Sequence, residues 1–246
     1  MKREPLKQIL LVITVIAAFM LGVQLQSSGF VDDFLYYWED IVYLSIEHVK
    51  LTLISGSIAI VVAVPVGIVL SRPSLRRYSE AMMQVFNIGS TVPTLAVLAL
   101  SMTLLGIGNT PAIFALAIAT VLPIVRNTFT GLITVPGHLK EAATGMGLTP
   151  MQQLIKVELP NALFVILAGV RTAFAINIGT VPLAFLIGGT GLGELIFTGI
   201  DLDDLSMMLA GAIPTASLAV LFDIGFGSLT FMMVRKGVNP LRNQPA

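Results

Sequence analysis

The strongest constraint on this chain is where charge is missing. Residues 51–71 carry no Asp, Glu, Lys or Arg, nor do residues 81–125, and residues 8–31 are equally bare. About 20 apolar residues in a helix cross a bilayer, so runs of this length call for a lipid or protein interior. Composition agrees, with 11% of residues charged where soluble domains carry about 25%. An all-α membrane protein folded as one bundle is the expectation at 246 residues. No cysteine is present, which excludes disulfides and thiolate sites.

Six transmembrane helices can be counted. Residues 8–31 follow Lys2, Arg3 and Lys7 and lead into QLQSSGF, which lacks a small-x-small cleavage pattern, so they read as a retained first span. Residues 26–47 mix acids with aromatics, and Phe30, Phe34, Trp38 and Ile41 recur at helical spacing, as in a helix lying in the interface. Residues 51–71 make the second span. The run 81–125 is too long for one crossing, and the turn composition GIGNTP at 106–111 divides it into spans at 82–105 and 111–134. A fifth span is expected at 161–187 and a sixth at 206–234, joined by a Gly-rich, acidic connection at 188–204.

The charges then sort by side. Lys2, Arg3, Lys7, Arg72, Arg76, Arg77, Lys140, Lys156, Arg235, Lys236 and Arg242 share one side, while Asp32, Asp33, Glu39, Asp40, Glu47, Glu194, Asp201, Asp203 and Asp204 share the other with a single base, Lys50, at a span end. Lys and Arg favour the cytoplasmic side, so both termini and the 136–160 connection are expected there.

That connection, PGHLKEAATGMGLTPMQQLIKVELP, is a polar island in an apolar chain. HLKEAATGM is made of good helix formers, and Gly145 and Gly147 follow as C-cap candidates. Thr149, Pro150 and Gln152 then form a capping box with Pro at the first helical position. Met151, Leu154 and Ile155 give the second helix an apolar face, and Pro160 is expected to bound it.

Several chemistries have no residues to carry them. There is no GxxxxGK[ST], HExxH or GxSxG, and His48 and His138 lie far apart, so no metal site, cofactor or nucleophile is expected. No basic stripe suits nucleic acid. GGTGLG at 188–193 does not match the dinucleotide fingerprint. A transporter built this way needs a separate motor or an ion gradient. Arg126, Arg171 and Asp223 fall inside or near spans, where an ionisable group is costly unless paired or facing a cavity. Arg126 can snorkel from near a span end. Arg171 and Asp223 lie at similar depth, which permits a buried ion pair between them, a structural tie rather than a proton relay.

Glu141-Ala142-Ala143, Gly147, Val157 and Leu159-Pro160 together resemble the EAA loop of binding-protein-dependent ABC importer permeases, with Val157 where that family usually has Ile. NIGSTVPTLAVLAL at 87–100, RNTFTGL and IGGTGLG extend the likeness to osmoprotectant permeases for glycine betaine, choline or carnitine. The resemblance implies a type I ABC importer (MetI-like) permease bundle, not an enzyme, in the bacterial cytoplasmic membrane. It would comprise an N-terminal span and periplasmic segment at 1–45, the permease domain at 46–235 and a tail at 236–246.

The implied partners are cytoplasmic ATPase subunits, a second permease (identical or a sister subunit), an extracytoplasmic solute-binding protein and a small-molecule substrate. Glu141, Ala142, Ala143, Gly147, Leu159 and Pro160 would belong to the ATPase contact, with Met151 and Leu154 as its apolar plug. Thr91, Pro93, Asn177 and Thr180 are expected as polar or kinked lining of the path, or else as small residues at helix contacts. A permease for an amino acid or sulfonate, and an ion-coupled carrier acting alone, are the competing readings. An intramembrane enzyme is the poorest of them, since no acid/base constellation occurs in the spans.

Overall fold

The computed structural model describes residues 30–234, and the expected first span, the tail and its bases lie outside that range. Helices follow one another as α1 (Phe30–Tyr36), α2 (Trp38–Leu70), α3 (Arg76–Gly89), α4 (Thr94–Leu105), α5 (Asn109–Ile133), α6 (Gly137–Gly145), α7 (Pro150–Gln153), α8 (Leu159–Thr180), α9 (Gly193–Asp201) and α10 (Leu205–Met233). Among the described residues four helical segments are long and apolar enough to cross a membrane, or five if the bent pair α3–α4 counts as one.

Alanine and glycine let the helices approach closely, as expected where packing rather than water drives helix association. Ala59 and Ala63 of α2, Ile124 and Val125 of α5, and Val170, Ala173 and Phe174 of α8 form the central core, flanked by Phe222 and Phe226 of α10. A Cβ at Gly169 would lie 2.5 Å from Asn127 Cβ and 2.9 Å from the Pro123 carbonyl, so α8 touches α5 backbone to side chain. A second core joins α2, α4 and α5 through Leu51, Leu98, Ala115 and Leu116, and a third joins α2, α9 and α10 through Leu44, Leu195 and Ala210.

Four expectations are corrected. The interfacial segment is not separate from the second span: α2 runs unbroken for 33 residues from Trp38. At 1.5 Å per residue that is about 50 Å, well over the roughly 30 Å hydrocarbon core, so its acidic, aromatic first turns stand clear of the apolar layer. The expected straight span at 82–105 is broken by an 87° bend between α3 and α4. Pro93 sits at that corner with φ −58 and ψ 134, and the bias of the residue before a proline away from the α region ends the first helix. The Gly-rich connection holds a helix, α9, because its glycines sit against backbone; a Cβ at Gly193 would meet the Pro182 carbonyl.

Pro160, the fourth, does not end its helix. A π turn at Leu154–Glu158 carries α7 into α8, and a 3-10 turn at Val181–Ile187 prolongs it. The widened turn sits just before the residue whose missing N–H and ring would disturb a regular one.

Candidate functional site

The polar island folds as a hairpin standing off the end of the bundle. α6 closes on a left-handed residue, Gly147, with φ +74. Leu148 N–H donates to the Ala143 carbonyl and Gly147 N–H to that of Thr144, a Schellman ending that a side chain at 147 would strain. Thr149 then accepts from Gln152 N–H while Gln152 Oε1 accepts from Thr149 N–H, the reciprocal box its sequence foreshadows. Lys140 Nζ donates to the Leu132 carbonyl at 3.0 Å, capping the end of α5.

Exposure divides the hairpin residues. Glu141 and Ala142 are exposed, as is Gly147, and Glu141 has no hydrogen-bonding or ionic partner among the described residues; Ala143 is fully buried. Met146, Met151 and Ile155 are 72%, 64% and 56% exposed, so the hairpin that carries Glu141 also leaves three large apolar side chains open. Leu154 faces the other way. With Leu139 and Leu159 it packs on Leu132, Val135, Ala162 and Ile166, so it anchors the hairpin and is no part of an outward plug. Val157 and Pro160 are half-buried in the same junction.

One pair here was not anticipated. Arg72 Nη2 donates to Glu158 Oε2 at 2.5 Å, with the Glu158 side chain 7% exposed and that of Arg72 28%. Glu158 is the only acid between Glu141 and Glu194, at a span end between two apolar residues, which was the available signal.

Within the spans, Arg171 and Asp223 do pair. Nε donates to Oδ1 and Nη2 to Oδ2, both at 2.5 Å, joining α8 to α10. The pair is not buried, for its side chains are 44% and 45% exposed on this chain. Arg126 is exposed on α5 without an ion pair among the described residues. Thr91 and Pro93 are exposed at the α3–α4 corner, and Thr180 bonds back to the carbonyls of Ile176 and Asn177. Asn177, expected as lining, is fully buried; its amide donates to Ser55 Oγ at 2.8 Å and ties α8 to α2. One residue along, His48 Nε2 meets the Ile178 carbonyl at 3.1 Å, extending the same polar seam.

At the opposite end from the hairpin, Asp204 caps α10 by accepting from Met207 N–H and also accepts from the Tyr37 hydroxyl at 2.8 Å. These bonds hold the Asp204 carboxyl below the usual carboxylate range, the Met207 N–H foremost. The bond to Asp204 is in turn the main reason Tyr37 is pushed up to about 12.

Residues 63–231, which include the hairpin and both members of the intramembrane pair, match the family described as binding-protein-dependent transport system inner membrane component. The chain belongs to that family. It is a membrane transport component of the kind that works with an ATPase and a solute-binding protein. It is 53% identical over 184 residues to the osmoprotectant import permease protein OsmY of Salmonella typhimurium, covering 75% of this chain and 78% of that one. It is also 42% identical over 184 residues to the choline transport system permease protein OpuBB of Bacillus subtilis, covering 75% and 84%. Among solved structures, the MetNI methionine ABC transporter in an inward-facing conformation aligns with a TM-score of 0.71 and 25% identity, over 79% of this chain and 96% of that one.

Proposed function

We propose that this permease conducts small quaternary-ammonium osmoprotectants, such as glycine betaine, choline or carnitine, into the cell, driven by a cytoplasmic ATPase that grips the α6–α7 hairpin. The likeness at 53% identity to an osmoprotectant permease carries the substrate class. The hairpin supports the coupling, because it exposes a carboxylate, Glu141, unpaired among the described residues, together with Met146, Met151 and Ile155, at the basic end of the bundle. Bases collect there and acids at the other end, which supports a cytosolic hairpin and an outward acidic face. On this reading residues 1–45, 46–235 and 236–246 are the leading span, the permease domain and the tail.

The sequence carries no phosphate-loop motif, and an ATPase can drive the bundle only through a contact that differs between inward- and outward-open states. The hairpin supplies that contact, and the unbroken helix from Pro150 carries its motion into the membrane. A half-exposed ion pair in lipid is costly, so the face bearing Arg171 and Asp223 looks into the path or onto a second permease. Thr91 and Pro93 at the α3–α4 corner remain lining candidates; Asn177 does not.

The test is reconstitution of the permease with its ATPase and binding protein. Glycine betaine, choline or carnitine should stimulate ATP hydrolysis. Glu141→Arg, and Gly147→Asp, which sets a carboxylate beside Met146, should abolish uptake while membrane insertion persists. Full uptake in both variants, or transport by vesicles holding the permease alone, would refute the reading in favour of an ion-coupled carrier.

A further inference from the structure

The hairpin reaches α8 directly along the backbone, but it has no such route to the bent pair α3–α4. Between them lies a cavity of about 860 Å³, lined among others by Arg72, Ser79, Glu80, Lys140, Gln153 and Glu158. Apolar contact between α2 and the hairpin root stops at Val64 and Ile68, which join the cluster of Leu139, Leu154 and Leu159; beyond them this gap separates the elbow after α2 from the hairpin, and polar groups bridge it. The ion pair of Arg72 and Glu158 is such a bridge, joining residues far apart in sequence.

Both ends of the bridge are held rigidly. The Arg72 guanidinium is fixed to the last turn of α2: Nε donates to the Ile68 carbonyl and Nη2 to Ser71 Oγ, and the Ser71 hydroxyl itself donates to the Ile68 carbonyl. Glu158 closes the π turn at the base of the hairpin and is nearly inaccessible to solvent, where a carboxylate persists only when paired. The receiving element is lightly held. In α3 the only fully buried side chain among those described is Ser79, while Met83 and Phe86 pack partway into the central core. An element with so few buried contacts can shift as a unit.

We propose that Arg72 and Glu158 form a strut that passes displacement of the hairpin to the α2–α3 elbow, and so moves α3 and its 87° junction with α4 in step with α8. These are positioning residues, acting on the path through the helices they join. The proposal rests on the reading of the hairpin as the ATPase contact.

The experiment measures glycine betaine uptake per ATP hydrolysed in proteoliposomes holding the full complex. Glu158→Gln should leave ATPase association and hydrolysis intact while uptake per ATP falls about tenfold, equivalent to about 1.4 kcal/mol of coupling. The exchanged pair Arg72→Glu/Glu158→Arg should recover most of that ratio. Should Glu158→Gln fold poorly, the doubly neutral Arg72→Gln/Glu158→Gln leaves no unpaired charge buried and should show the same loss. Three outcomes overturn the strut: an unchanged ratio in the neutral variants, uptake and hydrolysis falling in parallel, or an exchanged pair no better than the single variants. A wild-type complex that brings down no ATPase would instead remove the coupling reading itself.

Discussion

Replacing glycine by alanine at two positions in the hairpin, two residues apart, should have opposite consequences. At Gly147 the backbone has φ +74, and a Cβ would meet nothing within 4 Å, so the whole penalty is conformational. A left-handed residue with a Cβ costs about 1–2 kcal/mol. Gly145 also has open space around it but ends α6 in helical conformation, where alanine is the better former by up to about 1 kcal/mol. The two variants should therefore differ by roughly 1–3 kcal/mol in hairpin stability with no change in contacts. Amide exchange of the solubilised permease reads this directly, because Met146 and Leu148 N–H groups donate to the carbonyls of Ala142 and Ala143 only while the turn is closed. Gly147→Ala should lower their protection about 5- to 30-fold. Gly145→Ala should hold or raise it, and Gly147→Asn should fall between. Equal losses in the two alanine variants would refute the argument, as would valine tolerated at 147 as well as asparagine.

Three further outcomes are expected. Gly169→Val forces α5 and α8 apart, costing about 1–3 kcal/mol or more and lowering the thermal midpoint, whereas Gly225→Ala, with open space around it, leaves the midpoint in place. Tyr37, raised from 10.0 to about 12, stabilises the fold fully below pH 10 and loses that contribution between pH 10 and 12; Asp204, lowered, contributes above the ordinary carboxylate range and loses it as pH falls through its depressed pKa. Tyrosinate absorbance should show Tyr37 titrating earlier in Asp204→Asn. Arg171→Asp or Asp223→Arg alone leaves like charges facing each other in the membrane and should cut the yield of inserted protein, and the exchanged double variant should restore it.

Long apolar runs, each broken by a single charge, were enough to place α5, α8 and α10, because lipid leaves little choice but a helix there. Gly147, Thr149, Pro150 and Gln152 were legible for a different reason: each residue type answers a local backbone demand. What escaped depended on three-dimensional context. Residues 81–105 carry no charge, and Pro93 marks a kink among them without announcing a bend as sharp as 87°. The acids and aromatics of 26–47 suggested a separate segment, although the helix of the second span already begins among them at Trp38. A polar residue in a span can face a path or a neighbouring helix with equal sequence signature, so Asn177 could be read either way, and the matched depths of Arg171 and Asp223 permitted a pair without requiring one. Glu158 needed Arg72, and no local pattern links the two.

The π turn has a consequence for how this protein can vary in length. It sets the angular phase between the hairpin and the bundle below it. Its widened turn takes one extra residue for about the same rotation, so removing one residue from 154–158 lets ordinary α turns form with Met151 still facing the same way, whereas removing one from the regular turns after Leu159 swings Met151 and the exposed face around it by about 100° about the helix axis. Insertions and deletions on this arm are thus confined to those that keep the rotational register, much as a key must keep the angle of its bit to its shaft.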